Sequence, residues 1–235
     1  MTESAGGTGG AEGDAVERLP MFPLGSVLFP GLTVPLRVFE DRYVALVRHL
    51  EAVPDPARRL FGSVAIRDGY EVGNRGNQSL HRVGCRLQLT EVEDSGDGTF
   101  DVVAVCRDRI RLDSLDVSGP FPVGDVVVLP EQLSPPSATT VEHTGALFAA
   151  YQAVIGELGG TVVEGSLPAD PVYRSWAMSA VAPLPLSDRQ RLLETADPEE
   201  RYALLAEMFS SELRAINVIP SLPATHLNRT GWSPN

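Results

Sequence analysis

The sequence predicts an α+β protein, with an antiparallel barrel or sandwich in its first part and a small helical bundle after it. Three observations carry this expectation. Up to Leu133 the apolar residues fall in short runs, some with the period of two that marks a half-buried strand, whereas later ones recur every three to four residues. Between the two regimes stands Leu133-Ser134-Pro135-Pro136-Ser137, a composition break that puts a domain boundary at its start. The chain of 235 residues is 43 % hydrophobic, enough to bury a real core without a disulfide or metal staple.

Residues 1–18 are Gly-rich and acidic, with few groups able to repay the entropy of ordering, and are expected to form a disordered tail. From Leu19 the segments LPMFPLG, SVLFPG and TVPLRVF alternate apolar runs with Pro and Gly, as short strands joined by tight turns do. Beyond Phe39, Tyr43, Val44, Val47 and Leu50 share one helical face, and Glu40 and Asp41 precede it where the helix dipole favours anions. Pro54 and Pro56 end that helix. Strands are expected over 60–67, 80–93, 100–115 and 123–129, rich in Val, Leu and Ile, with Asp97-Gly98 as a hairpin turn. In the second part, Leu147, Tyr151, Val154 and Leu158 form one helical stripe, and Asp170 followed by Pro171 opens another helix. Ser187 with Gln190, and Asp197-Pro198 with Glu200, are capping-box patterns, the second launching Leu204, Leu205, Met208, Phe209, Leu213 and Ile216. The bundle is expected over 134–219, and 220–235 has too many breakers for a regular element.

Composition excludes several chemistries. All nineteen basic residues are arginine, so a P-loop, a Schiff-base enzyme and a serine–lysine peptidase each lack their essential amine. The net charge of −12 is spread along the chain and gives no basic face for phosphate backbones. Cys85 and Cys106 lie in strand-like segments without zinc spacing and read as reduced core thiols, and the four histidines sit in separate elements. Glu91 to Asp101 lacks the ligand order of a calcium loop, and the glycines of 73–77 follow no strand as a phosphate cradle would. No catalytic residue, cofactor or metal is expected. With no apolar signal-like stretch and no run of about 18 apolar residues, a cytoplasmic protein is expected, with no membrane partner.

The segment LPMFPLGSVLFPGLTVPLRVFEDRYVALV, from Leu19 to Val47, resembles the opening of the Lon protease N-terminal domain family, with its LPLFPL-type strand, LFPG turn and FE-x-RY junction. Phe61-Gly62, His81-x-Val83-Gly84 and Arg109-Ile110-Arg111 fall where that family has an FG strand, an H-x-(V/I)-G strand and an R-F-R-like strand, and Leu184 to Leu213 resembles its closing helices. The chain departs from the family at Cys106 and Ile110, where Gly and Phe are commoner. The resemblance implies a β-barrel lobe of the pseudouridine-synthase-associated (PUA-like) type over 19–133, an α-helical lobe over 134–219, and a free-standing relative without ATPase or peptidase modules. It implies a non-enzymatic module that recognises unfolded or specific protein segments, as an adaptor in protein quality control. The alternative is a PUA-like nucleic-acid-binding protein, with Arg82, Arg86, Arg107, Arg109 and Arg111 on one face.

Glu40, Arg42 and Tyr43 could pass for a catalytic cluster but sit at an element junction. There Phe39 and Tyr43 are expected to dock the helix on the barrel, with Glu40 and Arg42 bonded to nearby backbone. The candidates for polypeptide binding are apolar: Met21, Phe22, Leu28, Phe29 and Leu32 crowd the first turns, and Phe29 and Leu32 are the expected exposed members because they flank Pro30-Gly31.

Overall fold

The computed structural model describes residues 15–67, 79–132, 134–160 and 165–218. Its strands are β1 (Val16–Pro20), β2 (Thr33–Val38), β3 (Leu60–Ile66), β4 (Leu80–Asp94), β5 (Phe100–Asp116) and β6 (Val123–Leu129). Its helices are α1 (Asp41–Glu51), α2 (Ala138–Glu157), α3 (Pro171–Val181), α4 (Leu186–Glu194) and α5 (Pro198–Val218). The expected sheet-then-helix order and the α+β class stand. β1 begins inside the expected tail, because Val16, Glu17 and Arg18 pair with Val127, Val126 and Asp125. The rest of that tail, the 73–77 loop, Leu133 and the segment beyond Ile219 lie outside the described residues.

All strand pairs are antiparallel, in the order β1-β6-β5-β4-β3. The sheet curls until the chain after β1 meets β3, where Phe22 and Leu24 donate backbone bonds to Gly62 and Val64. Two glycines allow this closure: a side chain on Gly62 or Gly124 would strike Met21 at 2.5 or 2.9 Å. β5 is long enough to hold β6 along its second half and β2 along its first, so β2 is a branch off the main order. SVLFPG is not a strand. It is an irregular crossing that ends in a turn, where Leu32 N–H bonds Phe29 C=O and Gly31 takes φ +86°. Proline at the second position and glycine at the third suit that type II geometry.

The larger of two apolar clusters runs through both lobes, and the smaller, around Met21, Ile110 and Val126, lies within the barrel, so the composition break at 133/134 does not coincide with a division between clusters. α1 buries Tyr43, Val44, Leu46, Val47 and Leu50, and Phe22 stacks on Tyr43 at 4.0 Å. Cys85 and Cys106 are buried on the same inner wall. α2 buries Thr144, Phe148, Tyr151, Gln152 and Ile155, a face rotated from the expected stripe, of which Leu158 is 39 % exposed. Asp170 caps α3 through the N–H groups of Val172 and Tyr173. Ser187 caps nothing: α4 starts one residue earlier, and the Gln190 amide reaches across to Val83 C=O. At the seam, Arg201 of α5 stacks over the Trp176 ring at 3.3 Å and pairs with Glu131 at 3.1 Å, while Arg109 of β5 approaches the same carboxylate at 3.5 Å.

Candidate functional site

The structure overturns the expected exposure of the first turns. Met21 and Phe29 are fully buried and Phe22 nearly so, while Leu28 and Leu32 are half-buried. Phe29 lies 5.9 Å from the Trp176 ring and beneath the Arg189 guanidinium at 5.3 Å, and Arg189 also bonds Val27 C=O. The bundle therefore covers this turn. Pro30 is buried with it, Gly31 is exposed and Leu32 is half-buried.

Five large apolar residues are exposed among the described ones, Val16, Phe39, Val117, Leu158 and Tyr173, and two of these, Phe39 and Tyr173, flank β2. Its residues alternate, Val34 and Val38 inward, Thr33, Pro35 and Arg37 outward, and Phe39 continues the outward row with 48 % exposure. Phe39 thus does not dock α1; Tyr43 does, with Val44, Leu46, Val47 and Leu50, and its hydroxyl is pushed up to about 12 chiefly by burial. Glu40 and Arg42 bond each other at 2.7 Å, with Arg42 over the Tyr43 ring, instead of nearby backbone. At the other end of the row stands Tyr173 of α3, 51 % exposed and 3.6 Å from where a side chain on Gly31 would begin. The outward face of β2 is therefore a strip bracketed by two half-exposed aromatic rings, about 20 Å long from Thr33 to Phe39 at ~3.3 Å per residue.

Beside the strip lies a groove of about 440 Å³ on the outer face of β2, β5 and β4. Its walls are Pro35 and Arg37 on β2 and Glu91 and Glu93 on β4, directly opposite across Val103 and Asp101 of β5. Arg37 approaches Asp101 at 3.9 Å and Asp97 at 4.0 Å, and the Thr99 hydroxyl helps hold Asp97 below the usual carboxylate range. Glu91 and Glu93 are exposed and make no ion pair among the described residues. Phe39 was accessible to sequence reasoning, since it shares the parity of Pro35 and Arg37; Tyr173 was not, because its contact with Gly31 joins distant parts of the chain.

The arginines proposed for nucleic acid do not gather as free cations. Arg86 bonds Asp108 and Glu17, Arg111 bonds Asp113, and Arg109 is buried beside Glu131. Arg82 and Arg107 are exposed and bond neutral oxygens, the carbonyls of Leu112 and Asp113 and the Gln88 amide oxygen, so two of the five keep their charge.

The family model of the ATP-dependent protease La (LON) substrate-binding domain matches residues 18–211. The chain belongs to the Lon substrate-binding domain family. It is 25 % identical over 216 residues to a Lon protease of Porphyromonas gingivalis and 26 % identical over 214 residues to one of Roseiflexus castenholzii. These matches cover 88 % and 87 % of this chain but only 25 % of each relative, so the chain spans about a quarter of the length of those proteases. The crystal structure of a Lon N-terminal domain protein from Xanthomonas campestris superposes with a TM-score of 0.59 at 26 % identity, covering 80 % of this chain and 96 % of that one. The N-terminal domain of a Mycobacterium avium complex Lon protease shares the fold, with a TM-score of 0.57 at 15 % identity over 83 % of this chain and 98 % of that one. Among the described residues, no helix is long and apolar enough to cross a membrane.

Proposed function

We propose that this Lon-family domain is a non-enzymatic module that binds unfolded polypeptide segments in the cytoplasm, as an adaptor in protein quality control, and that it holds them along the outward face of β2. The observation that carries this reading is the strip between Phe39 and Tyr173, whose exposed rings lie outside the shared core and cost nothing in stability to bury against a partner. Covering the open half of each ring contributes about 1 kcal/mol, from the ~1.5–3 kcal/mol of a fully buried large apolar side chain. Part of that is lost to ordering the bound segment, so affinity is modest. The site takes extended chain because a folded protein offers few accessible apolar side chains at strand spacing.

The test is a titration of a reduced, unfolded model protein and of its folded form against the wild type and a Phe39→Ser, Tyr173→Ser variant. Unfolded chain should bind preferentially, and the variant should bind it about thirtyfold more weakly, the ratio that ~2 kcal/mol represents. Equal binding of folded and unfolded forms would overturn the function, whereas undiminished binding by the variant would overturn only the strip.

A further inference from the structure

The groove beside the strip is asymmetric in charge, and its asymmetry has a spacing. Glu91 and Glu93 stand two residues apart on β4, about 6.6 Å along the strand, and both point to the same outer face. The opposite wall presents Pro35 and Arg37, and the positive charge of Arg37 is already engaged by Asp101 and Asp97. The walls are two strand spacings apart, about 9.5 Å, which leaves room for one extended chain over Val103. Such a chain sends successive side chains alternately to the two walls, again with ~6.6 Å between those on one side. Basic side chains at every second position match the two unpaired carboxylates, and apolar ones between them meet Pro35.

We propose that this groove selects extended segments in which basic and apolar residues alternate; the inference rests on the polypeptide-binding reading and gives it a second contact, beside the strip, with a preferred substrate. Charge complementarity argues against the chain's own first fourteen residues, which carry Glu3, Glu12 and Asp14 and no basic residue, and against a two-fold contact with a second copy, which would set the same carboxylates against each other; the residues after Val218 carry a single arginine, Arg229, and cannot supply the alternation.

The experiment measures fluorescence anisotropy of labelled peptides at low salt. One has an Arg-Leu-Arg-Leu-Arg core, one the same residues in the order Arg-Arg-Leu-Leu-Arg, and one a Glu-Leu-Glu-Leu-Glu core, all with identical Gly-Ser flanks. The alternating basic peptide should bind about tenfold tighter than the acidic one, the ratio that two exposed ion pairs supply. A Glu91→Gln, Glu93→Gln variant should reduce that ratio to about twofold or less. A Glu142→Gln, Glu157→Gln variant, with the same change in net charge on α2, should leave it intact. If both variants lower the preference equally, the general field of an acidic protein is responsible and the groove is overturned. Equal binding of the two basic peptides overturns the strand-matched spacing. If the unfolded model protein binds while none of the peptides does, the groove fails and the polypeptide-binding reading stands; if nothing binds, that reading fails first.

Discussion

Phe29 and Phe39 lie ten positions apart in one run of apolar and turn residues, and their fates are opposite. Phe29 is fully buried between Trp176 and Arg189, and Phe39 is 48 % exposed. Removing the first ring opens a cavity in the shared core. Phe29→Ala should cost about 3–5 kcal/mol of unfolding free energy in urea titration, against less than about 0.5 kcal/mol for Phe39→Ala. The reverse order of the two would refute the assignment of core and surface. The residues that bury Phe29 come from α3 and α4, so no local pattern around the LFPG turn could have revealed them. The exposure of Phe39 was legible in its place on β2, had the alternation of Val34 and Val38 been extended past the end of the strand.

At the level of elements, the sequence spoke clearly wherever a local rule governs. The four later strands, the Asp170-Pro171 cap and the β4–β5 hairpin depend on alternation, side-chain capping and turn chemistry, and each stands as expected. The capping box at Ser187 failed because Gln190 bonds the carbonyl of Val83, a partner supplied by the barrel. The face of α2 is rotated for the same kind of reason: Phe148 and Tyr151 turn toward Phe209 of α5. β2 poses a different problem, since among the described residues no strand pairs with its second edge. The bond from Cys106 N–H to Leu32 C=O sets the parity, so Val34, Leu36 and Val38 face β5 and Pro35 falls at a free-edge position. A proline there removes a donor and blunts edge-to-edge pairing. Pro35→Thr should therefore increase self-association with concentration, measured by analytical ultracentrifugation, and an unchanged monomer fraction would count against this role.

Over the whole molecule, the barrel and bundle share one large apolar cluster and a seam with a common ion cluster, so they are expected to unfold together. Arg201 is fully buried, and burial brings its guanidinium down to about 10 despite Glu131. Taking away that carboxylate leaves two buried cations without a counter-charge. Glu131→Gln should cost about 3 kcal/mol, the lower end of the range for breaking a buried pair because Glu131 itself is 25 % exposed. In a Trp232→Phe background, unfolding followed by Trp176 fluorescence and by far-ultraviolet dichroism should give coincident transitions in both the parent and the variant. Two separated transitions would show that the lobes fold independently.

The wall that holds Cys85 and Cys106 also bears on chemical accessibility. Burial raises the Cys85 thiol well above its usual range, and both cysteines sit at or below 1 % exposure, so neither sulfur is within reach of an alkylating reagent while the barrel is closed. With lysine absent, the usual amine-directed reagents find no side-chain target either. Covalent labelling of this protein is thus a record of its openings: each modified cysteine marks a moment when the inner wall of the barrel met solvent.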